Sequence, residues 1–199
     1  MVLTTPIFRE LKRVFPDAEI TLLTSDGLGS VLSNNPHIDC LILHKRKESL
    51  GELKKLIRLL HKKNFDLVYD AHRSLRSIWI VWNLTCLGLR KTPNVWSINK
   101  RTWQRSLLIN FKVNLLSNTL PQRKHLLLPL QNQTNLLLNN KTELFPSPST
   151  NLQINNFLKK HRLMHKKYIA IGASASYPLK RWPLQYFKEI ISILIMHIM

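Results

Sequence analysis

Phe65-Asp66-Leu67-Val68-Tyr69-Asp70-Ala71-His72-Arg73-Ser74-Leu75-Arg76-Ser77 is the stretch on which the fold turns. Leu67-Val68-Tyr69 is a short continuous apolar run closed by an acid, the pattern of a strand buried on both faces. The residues that follow, 75–87, hold Ile78, Trp79, Ile80, Val81, Trp82 and Leu84, apolar almost all round. A helix buried between layers is the expected outcome. A strand feeding such a helix belongs to a parallel sheet with helices on both faces, and the loop 70–77 then lies beyond the carboxyl end of its strand, where such sheets collect ligands.

The same alternation extends upstream. Thr5 is a good N-cap and Pro6 suits a first helical position, while Ile7, Phe8, Leu11, Val14 and Phe15 share one face opposite Arg9, Glu10, Lys12 and Arg13. Residues 20–24 and 38–43 read as buried strands, separated by the Asn34-Asn35-Pro36 breaker. Leu50, Leu53, Leu56, Ile57 and Leu60 mark an amphipathic helix with its lysines outside. The fold class is therefore α/β, with a doubly wound parallel sheet. Downstream, residues 131–156 shift toward Asn, Gln, Ser, Thr and Leu with Pro146 and Pro148, as in a connection between domains that holds short helical pieces. The organisation expected is one domain over 1–145, then a connection and the beginning of a second over 146–199.

Thirty Lys and Arg against eleven Asp and Glu give a net charge of +19 and a pI near 10.4. That balance favours an anionic partner: nucleic acid, a phosphorylated glycolipid or a membrane leaflet. Many of the cations nevertheless fall on polar helix faces, which are solvated in any basic protein. No apolar run reaches the roughly 18 to 20 residues that span a bilayer, and Met1-Val2-Leu3-Thr4-Thr5-Pro6 is unlike a signal peptide, so the expected compartment is the cytoplasm. Cys40 and Cys86 have no metal-ligand spacing and are expected as buried, reduced thiols. His161 and His165 share a helical face, but no Glu or third ligand accompanies them, so no metal site is assigned.

A second strand-loop-helix comes late. Tyr168-Ile169-Ala170-Ile171 reads as a strand, running into Gly172-Ala173-Ser174-Ala175-Ser176-Tyr177-Pro178-Leu179-Lys180-Arg181-Trp182-Pro183. Small residues, two hydroxyls, two cations and a helix started at a proline gather donors around one point, which suits an anion.

This loop resembles the GAS-x-P-x-KRWP loop of glycosyltransferase family 9, the lipopolysaccharide heptosyltransferases. Loop 70–77 resembles the family's D-L-x-x-S-L-R-S, and Asn94-Val95-Trp96-Ser97-Ile98-Asn99-Lys100-Arg101 resembles its strand with a basic continuation toward the acceptor. With Phe15-Pro16-Asp17-Ala18-Glu19-Ile20 as a further match, the resemblance runs nearly end to end. It implies a GT-B arrangement of two Rossmann-like domains, the acceptor on the first and the nucleotide sugar on the second. The implied reaction is inverting, metal-independent transfer of a heptose or related sugar from a nucleoside diphosphate sugar, ADP-heptose, to the lipopolysaccharide core. No cofactor and no specific nucleic acid are implied, and association with the cytoplasmic face of the inner membrane would be peripheral.

Ser174, Ser176 and Lys180 are the residues implied to hold the donor diphosphate. Asp70, His72 and Arg76 are the candidates for substrate contact, although Asp70 reads equally well as a cap for the following helix. No catalytic residue is assigned, because the family's general-base Asp, in a Gly-Asp-Val turn, would precede Met1. On that reading the chain is an inactive fragment lacking its first strand and most of its second domain. The competing reading is a basic, non-catalytic module that holds anionic glycolipid or nucleic acid through charge.

Overall fold

The computed structural model describes residues 2–198 apart from 46, 48, 87–91, 117–119, 165–168, 173, 174 and 176. Two compact units are present, Met1–Ser147 and Pro148–Met199. In the first, four parallel strands alternate with helices: α1 Thr5–Val14, β1 Thr21–Ser25, the single turn α2 Asp26–Gly29, β2 Cys40–His44, α3 Leu50–Lys63, β3 Leu67–Asp70, α4 Leu75–Cys86, β4 Asn94–Ser97, α5 Thr102–Phe111 and α6 Gln122–Thr134. The second unit holds α7 Pro148–Lys160, a 3-10 turn at Pro178–Lys180 and α8 Leu184–Ile198.

The strands pair as two parallel ladders instead of the single continuous sheet expected. β1 lies against β2 with Thr21 opposite Cys40, and β3 against β4 with Leu67 opposite Asn94. One helical layer covers residues of both ladders, and a second packs on the other face of the β3 and β4 ladder. Leu23, Ile42 and Val68 pack against Ile57 and Leu60 of α3 and Ile80 and Leu84 of α4. On the opposite face Leu67, Tyr69 and Trp96 pack against Ile7 and Leu11 of α1 and Leu126, Leu127 and Leu130 of α6. Successive residues of β3 thus enter different cores, as the two-residue strand period requires.

Several local expectations are corrected. Strands 20–24 and 38–43 begin later, because the Asp39 carboxylate takes the Ile20 amide at 2.7 Å in place of a ladder partner. Thr5 is buried and is not the N-cap: its hydroxyl donates to the Val2 carbonyl at 2.9 Å and accepts from the Glu143 amide at 3.0 Å, while Thr4 holds the cap position. α4 buries one face only, leaving Leu75, Ile78 and Trp82 exposed. Cys86 is exposed and Cys40 half-buried, both as free thiols. Ile169 to Ile171 form no strand and are exposed, since no other strand lies among the described residues of that unit to complete a ladder. Tyr168 lies outside the described residues.

The segment 131–156 read as a connection takes in the end of α6, and its Leu138 packs against the α1 and α6 core. α6 runs to Thr134 despite Pro129 in its interior, and Leu130 is fully buried. Glu10 of α1, 1% exposed, receives hydrogen bonds from Arg9 at 3.2 Å and Arg13 at 2.9 Å. The two guanidinium groups reach on to the carbonyls of Leu137, Asn139 and Lys141 and to the Glu143 carboxylate, clipping the stretch after α6 onto α1.

Two outcomes follow for stability. Leu130→Ala should cost ~2–5 kcal/mol, the range for a fully buried leucine whose cavity relaxes only in part, measured by denaturant unfolding. Lys12 at 2.8 Å, together with the Ile20 amide, holds the Asp39 carboxyl below its ordinary value. A depressed folded-state pKa gives stability that is full above the ordinary carboxylate range and is lost as pH falls through the lowered value. Asp39→Asn should therefore flatten the acid limb of a plot of melting temperature against pH.

Candidate functional site

Strand direction places three loops at one edge of the first unit. β2, β3 and β4 end at His44, Asp70 and Ser97, and each is followed within a few residues by cations. The loop after β3 is the most fully described. Asp70 is buried, and its Oδ1 accepts from the amides of His72 at 2.9 Å and Arg73 at 2.7 Å, so the carboxylate folds the chain into a tight turn. Arg73 adopts a left-handed φ of 45°, and its guanidinium donates to the Ile98 carbonyl at 3.2 Å just beyond β4. The amide of Ser74 donates to Ser77 Oγ at 2.8 Å and the amide of Ser77 to Ser74 Oγ at 3.2 Å, satisfying donors at the start of α4 reciprocally.

Asp70 Oδ1 thus holds the turn and does not cap α4, whose first donors are met by Ser74 and Ser77. His72 is exposed at the turn. Arg76, in the first turn of α4, reaches the end of β2: its Nη1 lies 3.3 Å from His44 Nδ1 and 3.4 Å from the Lys45 carbonyl. The sequence reading did not include His44 and Lys45. Their signal was present, since they stand at the carboxyl end of a strand parallel to β1, but only the folded chain brings them to Arg76. Arg76 thus joins the end of β2 to α4 and Arg73 joins the loop after β3 to Ile98, so the loops after β2, β3 and β4, with Lys100 and Arg101 next in sequence, form a cationic rim suited to phosphate or carboxylate groups.

In the second unit Lys180 closes the 3-10 turn begun by Pro178, and its ammonium sits 5.4 Å from the centroid of the Tyr177 ring. Arg181 donates to the Ala175 carbonyl at 3.1 Å, folding the loop back on itself. Trp182 packs on Phe187 and Tyr186, with ring centroids 4.9 and 5.8 Å away. Ser174 and Ser176 lie outside the described residues. So does His165; His161 stacks on Phe157, and the described residues contain no cluster of three metal-ligating side chains.

Removing the Asp70 carboxylate leaves two turn amides without their acceptor. Asp70→Ala should cost ~1–3 kcal/mol and raise hydrogen exchange at the His72 and Arg73 amides, whereas Asp70→Asn, which keeps an acceptor oxygen, should be milder on both counts.

Three comparisons bear on what this edge belongs to. The chain is 36% identical over 96 residues to lipopolysaccharide heptosyltransferase 3 of Escherichia coli strain K12, and 34% identical over 86 residues to a second Escherichia coli protein of that name. Those alignments take in 45% and 41% of this chain but only 27% and 24% of the relatives, so the chain spans about a quarter of their length. A crystal structure of a family 9 glycosyl transferase from Veillonella parvula superposes with a TM-score of 0.72 at 18% identity, over 97% of this chain and 55% of the other. That match carries the fold, an α/β architecture with parallel strands. The family model described as glycosyltransferase family 9 (heptosyltransferase) matches residues 53–198, a span that includes β3, the rim residues from His72 to Arg101 and the Lys180 loop, and the chain belongs to that family.

Proposed function

We propose that the chain is part of an inverting, metal-independent heptosyltransferase that moves a heptose from ADP-heptose to the lipopolysaccharide inner core. Family membership over residues 53–198 is the observation that carries this reading. The unit Met1–Ser147 takes the acceptor and the unit Pro148–Met199 begins the domain for the nucleotide sugar. In the transfer, an acceptor hydroxyl attacks the anomeric carbon while the bond to the diphosphate breaks. The departing diphosphate gains negative charge, and donors already in place lower that barrier most. Lys180, with the hydroxyls and amides of the loop around Ser174 and Ser176, is assigned that role. Asp-x-Asp, the usual handle for a divalent metal in such transferases, does not occur in the sequence.

The rim of the first unit is assigned to the acceptor, whose core is rich in anionic groups. Arg76 and His72 make the contacts, and Asp70 positions them by holding the turn. An acceptor anchored in a lipid leaflet puts the working site of the enzyme at the cytoplasmic face of the inner membrane, with peripheral attachment. The competing function, a charge-driven module for anionic glycolipid or nucleic acid, draws its support from the net charge of +19.

Calorimetric titration of ADP at two salt concentrations separates the two. The heptosyltransferase reading expects Lys180→Ala to weaken ADP binding by ~1.5–3 kcal/mol, the scale of a hydrogen bond to a charged group, with little change in weak DNA binding. A diffuse basic surface expects one lysine among thirty cations to matter little and all binding to fall steeply with salt. Equal ADP affinities would take Lys180 out of the site.

A further inference from the structure

The excess charge is not evenly distributed along the chain. Residues 1–70 hold eleven Lys and Arg with nine Asp and Glu, whereas residues 71–142 hold eleven Lys and Arg and no acid at all. α5 lies in the middle of that acid-free stretch. None of its residues is buried, and Trp103, Ile109 and Phe111 are 61%, 69% and 70% exposed. Val113 and Leu115 continue the exposed apolar surface past the helix end. Lys100, Arg101, Arg105 and Lys112 are interleaved with them. Water-exposed apolar side chains at this density, ringed by cations, mark a surface with a partner.

We propose that the C-terminal end of α5, with the residues just after it, docks on an anionic bilayer. Ile109, Phe111, Val113 and Leu115 enter the boundary between headgroups and acyl chains. Trp103 sits at headgroup level, and Arg105 and Lys112 meet lipid phosphates. Ile109 and Phe111 point to different sides of the helix, so the contact is made by its end and not by a stripe along it. The aliphatic residues favour a bilayer over single-stranded nucleic acid, because bases stack on aromatic rings and gain little from Ile, Val or Leu. The segment also suits its place in the chain: four residues separate the end of β4 from the start of α5, and Arg73 ties the loop after β3 to Ile98, so the docked element adjoins the cationic rim. The inference rests on the proposed function only in taking a membrane as the working surface.

The test is co-sedimentation of the 199-residue protein with vesicles of phosphatidylcholine, either alone or with about one third phosphatidylglycerol, an anionic surface. The wild type should partition onto the anionic vesicles and much less onto the neutral ones. The double variant Ile109→Ser, Phe111→Ser should bind the anionic vesicles about tenfold less, the change that ~1.4 kcal/mol of lost apolar burial produces. Both residues are exposed, so the melting temperature should not move, and brominated acyl chains should quench a Trp emission component that Trp103→Phe removes. Arg105→Gln with Lys112→Gln should lower binding and reduce its salt dependence. The proposal is overturned by unchanged partition of the double variant, by absence of wild-type binding, by a double variant that loses single-stranded DNA binding but not vesicle binding, or by one that changes only oligomeric state. ADP titration of the same variants reads the donor site separately: normal ADP binding with no vesicle binding removes the docking surface alone, and lost ADP affinity in Lys180→Ala with normal docking leaves both readings standing.

Discussion

A parallel strand has to be covered on both faces, and β3 meets that requirement within four residues. Leu67 and Tyr69 face the α1 and α6 core, Val68 faces α3 and α4, and Asp70 ends the run. Everything that makes the carboxyl edge chemically useful depends on this. With side chains committed to two cores, the chain leaves the strand at one point only, and the buried Asp70 turns it at once by taking two amides. The Tyr69 phenol adds a tether, donating to the Leu126 carbonyl at 2.6 Å from inside the α6 core, where burial pushes its ionisation up. A polar handle on a buried ring needs such a partner, and α6 supplies it.

The second constraint is electrostatic. Glu10 is nearly inaccessible to solvent and would be costly there alone; the two guanidinium groups that neutralise it are also donors to the backbone after α6. One buried carboxylate thereby attaches the stretch 137–143 to the first helix. The Glu143 carboxylate takes part from the other side, within 3.0 Å of Arg9 and 3.2 Å of His37, and the Glu143 amide reaches the Thr5 hydroxyl. α1 is thus held by polar contacts at its start and along its outer face, while its inner face packs apolar.

Acidic and basic residues are divided in the same sense as the structure. Five of the nine acids in the first seventy residues are engaged in internal pairs, caps and turns: Glu10 with the arginines, Asp39 with Lys12, Glu19 with Lys63, Glu52 with Ser49, Asp70 with its turn. Past Asp70 the sequence carries eleven Lys and Arg before its next acid, Glu143. A stretch with so uneven a charge balance raises the local concentration of anions from solution.

Periodicity made α1 and α3 legible, because each buries a face whose residues recur at the helical period, and short continuous apolar runs marked α4 and the three strands of the first half. The loops ahead of α4 and α8 were legible too, as small or polar residues between a strand pattern and a helix start. Other features were not. Pro129 interrupts the apolar run 126–130 and hides a helix whose Leu130 lies at the centre of a core, and no propensity marks the contact of Arg76 with His44, 32 residues away in sequence. Residues 169–171 carry a strand pattern and form none, since a strand is an interaction between segments and its neighbours must be there to pair. The sequence by itself determined the α/β class, the family and the charge; tertiary structure alone decided which cations share the rim, that Asp70 is spent on the turn, and that α5 keeps its apolar side chains in water, because each depends on packing between distant segments.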